Sequence, residues 1–132
     1  MLKDVPAFSG FSVNDIDRAR EFYGQTLGLD VADIPLGSGP EVPHGLELRL
    51  AGGTTIRIYP KADHQPATYT ILTFLVPDID EAIDELTGRG VSLEHYTTGT
   101  PTDARGIHRN PSVRPVAWFK DPAGNTLSLN ER

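Results

Sequence analysis

The sequence predicts an α+β protein made of two copies of one module. Three observations carry this: a segment that recurs at constant offset, a pair of matching helical stripes, and strand-like alternation flanking each stripe. Phe11-Ser12-Val13-Asn14-Asp15-Ile16-Asp17-Arg18-Ala19 aligns with Phe74-Leu75-Val76-Pro77-Asp78-Ile79-Asp80-Glu81-Ala82. At this offset of 63, Phe, Val, Asp, Ile, Asp and Ala all recur. After one deletion, Leu27-Gly28-Leu29 falls on Arg89-Gly90-Val91. The ends match as well, Gly53-Thr54-Thr55-Ile56-Arg57-Ile58 against Gly124-Asn125-Thr126-Leu127-Ser128-Leu129.

The elements follow in order. Ala7 to Val13 alternates as a strand, and Asp15 or Asp17 is placed to cap the helix after it. Ile16, Ala19, Phe22 and Tyr23 recur at spacings of three and four, so one helix face is apolar. Gly28 ends that helix, as a left-handed C-terminal residue does. Asp30 to Pro43 holds a short strand and a loop, and strands follow at Leu46–Leu50 and Thr54–Tyr59. Pro60 to Thr68, polar and with two prolines, reads as the linker between module 1 (about 1–62) and module 2 (about 68–132). In the second module Ile79, Ala82, Ile83 and Leu86 make the stripe, and Gly88 and Gly90 end it. Strands are expected at Val91–Tyr96, Val116–Phe119 and Thr126–Asn130. Asp121-Pro122-Ala123-Gly124-Asn125 has tight-hairpin chemistry, which explains Asp121 without a catalytic role. Asp103 to Pro111 looks too irregular for a core strand and reads as a lid or a solvated basic loop carrying Arg105, His108 and Arg109.

Composition narrows the function. The length of 132 residues suits a single domain with one substantial core, and 38% hydrophobic with 23% charged residues fits a globular chain. No apolar run reaches eighteen residues and the N-terminus lacks a secretory pattern, so no membrane span and a cytoplasmic location are expected. With no cysteine there is no disulfide, thiolate nucleophile or cysteine metal cage. A net charge of -6 without a basic cluster disfavours nucleic acid as a partner. No nucleophile-elbow or phosphate-loop motif is present.

The repeated strand–helix–strands pattern, with its Phe119-Lys120-Asp121-Pro122-Ala123-Gly124-Asn125 turn, resembles the vicinal oxygen chelate superfamily of glyoxalases, bleomycin resistance proteins and dioxygenases. The resemblance covers nearly the whole chain. It implies two βαβββ modules forming an open barrel-like cleft, and a homodimer. Its enzymes hold one divalent metal at symmetric strand positions, where the metal stabilises oxyanionic charge on a chelating substrate. Counting by that resemblance, seven residues before Asp15 and Asp78 and four after Gly53 and Gly124, the positions are Phe8, Ile71, Arg57 and Ser128. Phe and Ile offer no lone pair, Arg is cationic, and Ser is a weak neutral donor. No family metal site, and no cofactor, is therefore expected. A displaced site from His44, Glu47 and His108 is the remaining alternative, and the histidine spacings do not favour it.

Strand parity then gives the face opposite the helices. If Phe8 lines the cleft, so do Gly10 and Ser12, with Thr55, Arg57 and Tyr59. Ile71, Thr73, Leu75, Thr126 and Ser128 do so in the second module, and pairing across the hairpin brings Trp118 near Ser128. Phe8, Tyr59, Ile71, Leu75 and Trp118 would form aromatic and apolar walls, with Arg57 as an anchor for a carboxylate or phenolate. The competing reading has these residues filling a barrel, with Arg57 paired to Glu47. The leading functional reading is a non-enzymatic module that binds a small aromatic or amphipathic molecule, such as an antibiotic. The alternatives are a metal-independent lyase, isomerase or epimerase using His108 or Tyr59 as acid/base, and a glyoxalase- or dioxygenase-type metalloenzyme with the displaced site.

Overall fold

The computed structural model describes residues 1–132, which fold as two compact units, Met1–Gln65 and Pro66–Arg132. In the first, strand β1 (Ser9–Val13) leads into helix α1 (Ile16–Glu21). Strands β2 (Asp30–Pro35), β3 (His44–Arg49) and β4 (Thr55–Pro60) complete a sheet of order β1-β4-β3-β2. In the second, β5 (Thr70–Val76) leads into α2 (Ile79–Gly88). Strands β6 (Ile107–Asn110), β7 (Val113–Lys120) and β8 (Thr126–Glu131) give the order β5-β8-β7-β6. The two topologies are the same. In each sheet the first strand runs parallel to the last and the other pairs are antiparallel. Both sheets are mixed, four-stranded and open, so the α+β class and the repeat are as predicted. No helix is long and apolar enough to cross a membrane.

The duplicated helix starts are duplicated caps. The Asp15 carboxylate accepts from the backbone N–H of Asp17 and Arg18 at 3.1 and 3.2 Å, and that of Asp78 accepts from Glu81 at 3.1 Å. Glu131 on β8 adds an acceptor for the Ile79 N–H at 2.9 Å, so a second donor of the α2 first turn is satisfied from the sheet. Ala19 and Tyr23 bury the first stripe against Phe11, Leu46, Leu48 and Ile58. Ile79 and Ile83 bury the second against Phe119, Leu127 and Leu129. Each such aliphatic side chain removed from water contributes roughly 2 kcal/mol, and the Tyr23 ring adds aromatic contacts to Phe11 and Phe22 at 5.8 and 5.1 Å.

Four elements depart from expectation. β1 begins at Ser9, leaving Ala7 and Phe8 outside the regular strand. The first helix changes at Phe22 to a π-type turn through Thr26, where the Leu27 N–H donates to the Phe22 carbonyl at 2.8 Å, before Gly28 (φ +72°) ends it. Val91–Tyr96 is not a strand: its one backbone bridge to the sheet is Leu93–Phe119. The reason is local competition. The Tyr96 N–H donates to Thr102 Oγ1 (2.8 Å) and the Tyr96 carbonyl accepts from the Thr102 N–H (2.9 Å), so a loop takes the groups a ladder would use.

The fourth is the expected lid. Residues 107–110 form β6, paired with β7, and Ile107 is fully buried. The charges around it face α2 rather than solvent alone. Arg105 pairs with Asp84 (2.7 Å) and Asp80 (3.4 Å), and Arg109 with Asp80 (3.0 Å) and Asp103 (3.6 Å). The segment is therefore a strand pinned to a helix.

Candidate ligand-binding faces

In the first unit, Phe11, Val13, Leu46, Leu48, Ile56 and Ile58 are buried on the α1 side of the sheet. Alternation assigns Ser12, Glu47, Arg57 and Tyr59 to the other side. The register makes these into rows: Gly10 opposite Arg57, Arg57 opposite Glu47, and Ser12 opposite Tyr59. The Arg57 guanidinium carbon stands 4.2 Å over the centre of the Phe8 ring, a cation–π contact, and Phe8 is 61% exposed. The alternative pairing with Glu47 does not occur, because Glu47 is taken by Arg49, Nε to Oε1 at 3.1 Å. No carboxylate lies in ion-pair range of Arg57, so this face keeps an uncompensated cation. At its edge Ser12 Oγ lies 2.6 Å from His64 Nδ1, a contact that links β1 to the segment after β4.

In the second unit, Ala117, Phe119, Leu127 and Leu129 are buried on the α2 side. Thr73, Ser128 and Trp118 are direct neighbours across β5, β8 and β7 on the opposite side. The side of Trp118, open in the sequence, follows from its pairing with Ser128 without an intervening bulge. Leu75, Asn130, Val116 and His108 form the next row. Trp118 carries the Tyr96 ring edge-on at 5.5 Å and the His108 ring at 6.4 Å. Leu75 is 63% exposed, whereas Ser128 is 2% exposed with its hydroxyl bonded to Thr73 Oγ1 (2.8 Å) and Asn130 Oδ1 (3.4 Å). Ser128 thus supports the face more than it offers itself to a ligand. Ile71 sits at the irregularity between Thr70 and Leu72, half-buried and without a register partner.

Ahead of β6, burial pushes the Asp103 carboxyl upward, but it is outweighed by the N–H groups of Ile107 and Arg105 (both 2.9 Å) and by Arg109. The carboxyl is held below its ordinary range. The Arg105 guanidinium is held above its ordinary value, chiefly by Asp84.

The positions that the resemblance assigns to metal ligands carry an aromatic ring (Phe8), a cation over it (Arg57), an alkyl chain (Ile71) and a buried, bonded hydroxyl (Ser128). This donor set does not fit a divalent cation, and Arg57 would repel one. His44 and Glu47, three residues apart on β3, stand on opposite faces of the strand.

Sequence reasoning reached Phe8, Arg57, Tyr59, Leu75, Trp118 and His108 as residues of interest, and missed two contacts. In the sequence Tyr96 stands at the end of an expected strand and His64 within the linker. Both reach their partners by loop path, which has no periodic signal.

The Glyoxalase/Bleomycin resistance protein/Dioxygenase superfamily model matches residues 8–129, and the chain belongs to that superfamily. Among solved structures it is similar to TnmS3, an antibiotic binding protein from Streptomyces sp. CB03234, with 26% identity over 96% of each chain and a TM-score of 0.66. It is similar also to a superfamily member from Sphaerobacter thermophilus DSM 20745, with 26% identity, 98% of this chain and 99% of that one covered, and a TM-score of 0.70. The fold is shared with the fosfomycin resistance protein FosX of Listeria monocytogenes, at 15% identity over 97% and 93% of the chains and a TM-score of 0.68. No curated protein matches the chain.

Proposed function

We propose that this protein binds and holds a small, flat, partly apolar molecule that carries an anionic group, by contacts that need no metal. The observation that carries this reading is Arg57 over the exposed Phe8 ring. A guanidinium with no carboxylate partner can form paired hydrogen bonds to a ligand carboxylate or phenolate, while the ring beside it takes apolar surface. Trp118 with Tyr96 offers a second aromatic surface of the same chemistry. The likeness to an antibiotic binding protein makes sequestration of an antibiotic the natural form of this function. The working form is proposed to be a cytoplasmic homodimer, an expectation that rests on the family alone and that light scattering on the pure protein checks.

The test is to incubate the protein with 2-naphthoate, isolate the complex by rapid gel filtration, and weigh the released compound by mass spectrometry. Co-elution in a fixed ratio with unchanged mass is expected. No co-elution would overturn the reading. A changed mass would favour a metal-independent enzyme, for which Ser12 against His64 is the observation to pursue.

A further inference from the structure

We propose that His108 makes the aromatic face of the second unit selective for ligands that bring a hydrogen-bond donor, such as a phenolic or enolic hydroxyl. The inference rests on the reading above that the protein binds flat aromatic molecules, and names a neutral group that a ligand on the second unit would carry.

The argument begins with a tautomer. His108 Nδ1 lies 2.8 Å from the carbonyl oxygen of Pro101. A carbonyl oxygen has only lone pairs, so Nδ1 bears the proton. A neutral imidazole protonated at Nδ1 presents a lone pair at Nε2, and the backbone bond fixes this arrangement. Nε2 has no partner in the chain, and the residue is half-buried. His108 pairs with Val116 across β6 and β7, so it shares the side of the sheet that carries Trp118, and the two rings lie 6.4 Å apart.

The neighbouring polar groups do not supply Nε2 with a donor. The Thr73 and Ser128 hydroxyls are bonded to each other, and Arg105 and Arg109 are spent on the carboxylates of α2 and on Asp103. A flat ring lying against Trp118 therefore meets a directed acceptor at its edge. A hydroxyl there gains a hydrogen bond. A methyl ether in its place cannot donate, and leaves a desolvated lone pair facing an ether oxygen. The ligand class for this face is therefore a hydroxylated aromatic compound.

The test is calorimetric titration of wild type, His108→Gln and His108→Asn at pH 8 with 6-hydroxy-2-naphthoate and 6-methoxy-2-naphthoate. Gln keeps an acceptor near the Nε2 position. Asn keeps only the contact to Pro101. Wild type is expected to prefer the hydroxy compound about fivefold or more, with the preference largely kept by Gln and lost in Asn. Long-range proton–nitrogen spectra of wild type guard against a misfolded variant. They should show the Nδ1–H tautomer, and the Nε2 resonance should move with the hydroxy compound only. Equal binding of both compounds, a preference that survives in Asn, or an Nε2–H tautomer would overturn the role of His108 while leaving the aromatic-acid reading standing. Binding of neither compound would overturn both.

Discussion

Arg57 and Asp121 show how differently two charged side chains are used. Arg57 stands over Phe8 without a carboxylate partner and is the anchor in the function proposed above. Arg57→Ala is expected to weaken 2-naphthoate binding about tenfold or more, and Arg57→Lys to restore part of it, since an ammonium keeps charge but loses the planar fork. Titration calorimetry checks both. Asp121 is 5% exposed and closes the β7–β8 turn, accepting from the N–H groups of Ala123 (2.9 Å) and Asn125 (2.8 Å) and from Asn125 Nδ2 (3.1 Å). Asp121→Ala strands these buried donors and is expected to cost about 2 kcal/mol or more in urea unfolding. The sheet face of Arg57 and the turn closed by Asp121 were legible from the sequence, because strand parity and turn chemistry are local rules. The contacts of Ser12 with His64 and of Tyr96 with Trp118 were not, because each is made by a chain that leaves the strand and returns.

Between elements, the segment from Asp103 to Asn110 is the informative case. Its Gly and Arg content reads as a loop, yet Ile107 fills the core and four carboxylate–guanidinium contacts tie it to α2 or within itself. Sequence showed the charges but not their partners on a helix over twenty residues earlier. Asp103 also bonds the segment end to end: its carboxylate accepts from the Arg105 and Ile107 N–H groups, and its own N–H donates to the Ile107 carbonyl. Because its folded-state pKa is depressed, this stabilisation is fully present above the ordinary carboxylate range and is lost as pH falls through the depressed range. Amide exchange at Ile107, normalised for the intrinsic pH effect, is expected to quicken in that acid window, while β8 amides stay protected. Uniform protection across the window would refute the latch. The paired variant Arg105→Ala/Arg109→Ala should loosen the same amides at neutral pH, with the β8 amides again unchanged.

At the scale of the molecule, one topology occurs twice, and the sequence repeat announced it. The matching cap aspartates, apolar stripes and closing glycine-initiated strands are what a strand–helix–strands module needs, so they persist in both halves. What the superfamily's enzymes place on the face opposite the helices is a metal. Here that face carries Phe8, Arg57 and, in the second unit, a Trp118 cluster. The most direct test of the proposed metal-free binding is a calorimetric titration of 2-naphthoate into the protein after exhaustive treatment with EDTA. Saturable binding, of the same affinity when zinc, nickel or manganese is added back, is the expected result. Binding that disappears with the chelator and returns with a metal would contradict it.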